Sequence, residues 1–277
     1  MKYRKAKLGL LVAGMVAGPL AQAQAIKIPA KGQSPAIDKI ESSGQLKAGA
    51  AILAPWLLQN PKNNKYLGPV AVIAQATAKA LHVKLDYVGT TWDTLVAGLV
   101  ARKYEIAAAP ILETKPRKKV IGFVNFGSSG TCYVVRKKSP IHSLSDLNNP
   151  KYVYLGYTGL ANGTMFHLKY PETRMQTINP PPGYTYRVAG VIKGRGDIAA
   201  IDSPMALWVH QKWPSVRIIP SPKQCIKHPD LLRKIGIGYP KGDKVFAHFL
   251  KQVIAANKKK IQASTMQFSQ PKWLNKR

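Results

Sequence analysis

The sequence predicts an α/β protein made of two similar lobes, and three observations carry that expectation. Helical and extended segments alternate along most of the 277 residues, the grammar of a parallel sheet flanked by helices. A thirteen-residue stretch, Gly98-Leu-Val-Ala-Arg-Lys-Tyr-Glu-Ile-Ala-Ala-Ala-Pro110, is echoed ninety-two positions later by Gly190-Val-Ile-Lys-Gly-Arg-Gly-Asp-Ile-Ala-Ala-Ile-Asp202. Gly98/Gly190, Ile106/Ile198, Ala107/Ala199 and Ala108/Ala200 are identical, while Lys103/Arg195 and Glu105/Asp197 keep their charge. Each copy reads as the end of a helix, a basic turn, an acidic residue and a short buried strand. Two such units imply two lobes, and paired lobes leave a cleft between them.

The elements follow in order. Lys2, Arg4, Lys5 and Lys7, the apolar run Leu8–Gly18 and the pattern Ala23-Gln24-Ala25 predict a cleavable secretory signal over residues 1–25. The apolar run is shorter than the roughly 20 residues a membrane span needs. Ile26–Ala36 reads as extended chain, Ile37–Leu46 as a helix stopped at Gly44, and Leu46–Ile52 as a first strand. Ala54-Pro55-Trp56 opens a polar loop. Pro69 starts a helix over Val70–Leu81, a first-turn position that suits a residue without an amide donor. Val83–Val88 alternates as a strand, and Asp93 precedes a helix to Lys103 with Leu95, Leu99 and Val100 on one face. Phe123–Lys137 is extended and β-rich. A second cycle then begins, with a strand at Tyr152–Leu155, a glycine-containing turn over Gly156–Gly163 and a helix through Leu168. Pro180–Gly183 is a break. A strand at Ile235–Tyr239 and a helix at Val245–Ala263 close the chain.

Export places Cys132 and Cys225 in an oxidising compartment, where a disulfide between them is expected. Cys225 and His228 have C-x-x-H spacing, but no second ligand pair accompanies them, so neither a metal nor another cofactor is expected. Lys plus Arg outnumber Asp plus Glu by 42 to 12, a net charge of +30. The cations are spread along the chain, without an RNA-binding aromatic signature, zinc-finger spacing or heptads, and no nucleic-acid partner is expected. The scarcity of carboxylates matters more. Acid denaturation proceeds largely by protonating carboxylates that the native state needs ionised, so this composition suits an acidic periplasm. Association of the basic surface with anionic envelope components is the other reading of the same charge.

Several segments resemble family 3 extracellular solute-binding proteins, the amino-acid-binding receptors of ABC importers. They are Ser42-Ser-Gly-Gln-Leu-Lys-Ala-Gly, Ala54-Pro-Trp, Tyr66-Leu-Gly68, Thr91-Trp-Asp-Thr-Leu, Lys103-Tyr-Glu-Ile, Thr114 with Arg117, Val120-Ile-Gly-Phe, Val134-Val-Arg-Lys, Ser143-Leu-Ser-Asp-Leu, Gly194-Arg-Gly-Asp-Ile and Asp202-Ser-Pro. The resemblance covers nearly all of residues 37–265. It implies a type II periplasmic-binding-protein fold, with two lobes joined by two crossover strands: lobe 1 from residues 26–132 plus 239–277, lobe 2 from residues 133–238. It also implies a monomeric periplasmic receptor that hands a small solute to a membrane permease.

The resemblance assigns Arg117 to a ligand carboxylate, which a planar guanidinium can meet with two parallel hydrogen bonds. It assigns Asp202 to a ligand ammonium, with helix N-capping as the other role open to that residue. Trp92, Leu53, Pro110, Leu112, Tyr157 and Asn162 fall at the remaining ligand-binding positions. Several depart from the family pattern. Pro110 and Leu112 replace small hydroxyl residues, Gly159-Leu160-Ala161-Asn162 replaces a threonine-rich loop, and Leu53 stands where a stacking tyrosine is common. Ala50 replaces the acid of cationic-amino-acid receptors, so a lysine or arginine ligand would lack a side-chain partner. The expected ligand is a polar or aromatic amino acid, or a small organic anion.

A receptor rather than an enzyme is expected. The alternative on the same fold is an exported cyclohexadienyl or arogenate dehydratase-like enzyme, which needs an acid in the cleft, with Glu113 and Glu172 as candidates. A ligand-free accessory protein is the third class.

Overall fold

The structure, a computed structural model, describes residues 26–179 and 184–270. The predicted leader at 1–25, the break at Pro180–Gly183 and the tail beyond 270 lie outside the described residues. The first half of the chain runs α1 (Pro35–Ser43), β1 (Gln45–Ala50), β2 (Leu58–Gln59), β3 (Tyr66–Leu67), α2 (Pro69–Ala80), β4 (Lys84–Gly89), α3 (Leu95–Val100), β5 (Ile106–Leu112), α4 (Lys115–Val120) and β6 (Ile121–Arg136). The second runs β7 (Val153–Tyr157), α5 (Ala161–Lys169), β8 (Arg174–Ile178), α6 (Tyr184–Ile192), β9 (Ile198–Asp202), α7 (Ala206–Lys212), β10 (Val216–Ile219), α8 (Pro222–Lys227), β11 (Asp230–Pro240), α9 (Lys244–Ala256) and α10 (Lys258–Ser269).

Sheet order explains how one chain makes two lobes. The strands run β4-β1-β5-β11-β6-β9-β7-β8, with β10 on the side of β6. At one end β4, β1 and β5 are parallel and β11 lies antiparallel against β5. At the other β8, β7 and β9 are parallel and β6 lies antiparallel against β9. Each parallel triplet therefore carries the same antiparallel edge. The two long edge strands, β6 and β11, pair antiparallel from Thr131 with Asp230 to Ile121 with Pro240. They are the two crossovers, and the fold is the type II periplasmic-binding-protein architecture expected from sequence.

The repeat has a physical basis. Glu105 donates its N–H to the Lys47 carbonyl at 3.0 Å, while its Oε2 accepts from the Lys47 N–H at 2.9 Å. Asp197 does the same in the other lobe, donating to the Val153 carbonyl at 2.8 Å and accepting from the Val153 N–H at 3.0 Å. Each acid thus closes the gap where the pairing beside β1 or β7 begins, satisfying a strand amide that would otherwise lack a partner. Glu105 is 4% exposed and is neutralised by Lys39 at 2.9 Å, and Asp197 pairs with Arg136. The repeat's own cations, Lys103 and Arg195, are exposed and serve neither acid. Its glycines mark close packing of helix on sheet. A Cβ at Gly98 would collide with the Tyr104 hydroxyl, and one at Gly190 would stand 2.8 Å from Leu155.

Apolar clusters lie on the faces of both triplets. Leu95, Leu99, Tyr104 and Ile111 pack in one lobe, and Tyr133, Tyr154, Phe166 and Tyr170 in the other. The Tyr154 and Phe166 rings stack at 4.1 Å between centroids. Asp230 is 6% exposed beside this second cluster, where it accepts from Tyr133 at 2.7 Å and Tyr170 at 2.8 Å and pairs with Lys169.

Some boundaries differ from expectation. The single helix expected at Val245–Ala263 is two, α9 and α10, broken at Asn257, whose Nδ2 turns back to the Val253 carbonyl at 2.9 Å. α3 stops at Val100 rather than Lys103, and Thr94 rather than Asp93 occupies its N-cap. β8 and β10 were not expected. β8 is a mostly exposed edge strand without the alternation that marks a half-buried one.

Cys132 on β6 and Cys225 on α8 form a disulfide, with Cα atoms 5.9 Å apart. Cys225 is thereby unavailable to the C-x-x-H pair that its spacing with His228 offered. No helix among the described residues is long and apolar enough to cross a membrane.

Candidate functional site

The strand ends of the two triplets face one another, and this juxtaposition assembles a cavity of about 20 Å³. Seven of the predicted ligand-binding residues line it: Leu53, Trp92, Pro110, Leu112, Arg117, Asn162 and Asp202. Leu160, Ala161 and Ile235 complete the wall. Tyr157 is placed differently. It lines a neighbouring cavity that shares Leu160 and Asn162 with the first. Its ring lies under the Arg187 guanidinium, 4.7 Å from the centroid, and burial pushes its phenol pKa up to about 12. β7 extends two residues beyond the expected strand, so Tyr157 belongs to the sheet and not to the loop.

Arg117 reaches the cavity because Thr114 starts α4. The Thr114 hydroxyl accepts from the Arg117 N–H at 3.5 Å, fixing the first turn on which the arginine sits. Its Nη1 donates to the Leu112 carbonyl at 3.2 Å and its Nη2 to the Gly159 carbonyl, in the facing lobe, at 2.7 Å. Burial holds the guanidinium pKa below its ordinary value, although an arginine stays charged under any working condition. Gly159 is required twice over. Its φ is +80°, and a Cβ there would run into the backbone of Trp92 and Asp93 across the cleft.

Asp202 ends β9 and is 9% exposed. It occupies an N-cap position, yet its side chain makes no capping hydrogen bond. Instead its Oδ2 accepts from the Trp56 indole N–H, from the facing lobe, at 2.7 Å. Trp56 belongs to the Ala54-Pro-Trp segment but was not among the expected site residues, because its motif position does not show that the indole reaches the opposite lobe. The Trp92 indole N–H donates to the Ile52 carbonyl at 3.2 Å, and its ring is left as apolar wall.

The acids proposed for a dehydratase are placed otherwise. Glu113 is bridged to Lys118 at 2.6 Å and accepts from Asn125 at 2.9 Å, and these two bonds hold its carboxyl below the usual range. Glu172 is exposed.

The comparisons with known proteins agree with this architecture. An ancestral amino acid-binding protein, AncCDT-1, described as a precursor of cyclohexadienyl dehydratase, has a similar structure. Its TM-score is 0.69 at 26% identity, over 86% of this chain and 98% of that one. A mutant of arginine-bound ArgBP from T. maritima aligns with a TM-score of 0.67 at 25% identity, over 79% of this chain and 98% of that one. The octopine-binding periplasmic protein of Rhizobium meliloti is 31% identical over 102 residues, 36% of this chain. That match spans about a third of the relative's own length, 33%. The model of bacterial extracellular solute-binding proteins, family 3, matches residues 46–276. With two duplicated triplets, two crossover strands and a cleft floored by their strand ends, the chain belongs to the bacterial extracellular solute-binding proteins of family 3.

Proposed function

We propose that this protein is a periplasmic receptor that encloses an amino acid or small organic anion between its lobes and delivers it to an ABC permease. The observation that carries the reading is the convergence of Arg117 and Asp202, from opposite lobes, on one cavity. Arg117 supplies a fork for a carboxylate and Asp202 a counter-charge for an ammonium. Closure is stabilised by whatever touches both lobes, so a ligand bridging these two groups favours the closed state. The amino-acid and arginine binding named for the structural relatives supports the solute class. Export through the signal at 1–25, the lobe boundaries at 132/133 and 238/239, a monomeric state and the permease partner belong to the same reading.

Receptor rather than dehydratase is favoured because Glu113 is held ionised by Lys118 and Asn125, whereas a general acid must carry a proton at working pH. The test is a thermal-shift screen over amino acids and small carboxylates, since a ligand that binds only the folded state raises Tm by mass action. A specific solute should raise Tm in the native protein and not in Arg117→Ala. No shift with any of them, or conversion of prephenate or arogenate in a product assay, contradicts the receptor reading.

A further inference from the structure

We infer that the solute is a compact amino acid with an uncharged, aliphatic side chain, of the size of valine, leucine or proline. The inference rests on the receptor reading and deepens it.

Among the described residues three polar side chains line the cavity, and two are committed by that reading: Arg117 to a carboxylate and Asp202 to an ammonium. Only Asn162 is left to meet a polar group on the ligand's side chain, and it is 6% exposed in the first turn of α5. The rest of the wall is aliphatic or aromatic. Leu53 and Leu112 come from one lobe, Leu160 from the other, Ile235 from the crossover β11, with Pro110 and the Trp92 ring between them. A charged side chain enclosed here would lose its hydration with no partner to replace it, which is the costliest kind of burial. An aliphatic one gains by every methylene it removes from water.

Size points the same way. The cavity of about 20 Å³ has room for about one water. Gly159 already lies hard against the Trp92–Asp93 backbone. A long side chain would need the lobes held well apart. A short one needs a small opening. Leu112 and Leu160 are only partly buried, so they are positions at which wall chemistry can change without excavating a core.

The experiment is titration calorimetry of the purified protein, after unfolding and refolding to strip carried-over solute. The probes are L-valine, L-leucine, L-proline, L-arginine, L-glutamate and L-glutamine, with Leu160→Ser and Leu112→Ser beside the native chain. At least one aliphatic amino acid should bind at least about tenfold more tightly than arginine, glutamate and glutamine, and the serine variants should narrow that gap. Arginine, glutamate or glutamine binding as tightly as the aliphatic set overturns this inference and leaves the receptor reading standing. No binding of any of the six overturns the inference too. A Tm rise with a small carboxylate lacking an ammonium would then keep the receptor reading, and none would remove it.

Discussion

The Trp56 indole N–H donates to Asp202 Oδ2 at 2.7 Å, so the loop after β1 holds the carboxylate that ends β9 in the other lobe. Arg117 makes the reciprocal contact with the Gly159 carbonyl at 2.7 Å. The two groups that the proposed function assigns to the ligand are thus also two that tie the lobes together.

Trp56→Phe tests that statement, because it keeps the ring and removes the N–H. A hydrogen bond to a charged group is worth about 1.5–3 kcal/mol, so the closed-to-open ratio should fall roughly 10- to 150-fold. Small-angle scattering should show a larger radius of gyration than in the native chain. Identical profiles would mean that Trp56 does not hold the lobes.

Gly159→Ala should act in the same direction for a different reason. It places a Cβ against the Trp92 and Asp93 backbone and strains a φ of +80°. Lobe closure should weaken while the fold persists, read as reduced ligand affinity with little change in far-UV circular dichroism.

The disulfide encloses a separation of 93 residues. Replacing Cys132 and Cys225 together by Ala should cost about 2–5 kcal/mol, lowering Tm by about 2–4 °C for each kcal/mol in a chain of this size. Dithiothreitol should reproduce the effect on the native protein and leave the double variant unchanged.

Asp230 gives a signed pH dependence. Burial opposes its ionisation, but hydrogen bonds from Lys169, Tyr133 and Tyr170 outweigh it, and the carboxyl pKa lies below the ordinary aspartate value. A depressed native pKa stabilises the fold at every pH above the unfolded value, near 4. That contribution fades only as pH falls from about 4 through the lower native pKa. With only 12 acidic residues in the chain, stability should change little between pH 7 and about 4. Asp230→Asn should be less stable than the native chain at pH 7, and the gap should close toward pH 2, where both carry a neutral group. A gap that grows on acidification contradicts the assignment.

Much of this was legible in the sequence, and the reasons differ by element. The repeat announced two lobes because Glu105 and Asp197 do the same backbone work, which calls for an acid at both positions. Arg117 and Asp202 were singled out through the family resemblance, which matches one to the start of α4 and the other to the end of β9. Trp56 was not legible as a site residue, since its role depends on how closely the lobes approach. Tyr157 was misplaced because β7 continues past the residue at which the glycine turn was expected. Ile235 enters the cavity only through the antiparallel return of β11, a long-range pairing that local pattern does not reveal.

The most direct test of the account is calorimetric titration of the solute found in the thermal-shift screen into the native protein, Arg117→Ala and Asp202→Asn. Loss of about 2–5 kcal/mol of binding free energy in each variant, with folding intact, is the expected result. Undiminished affinity in both would show that the two groups do not hold the solute, and the account would fail.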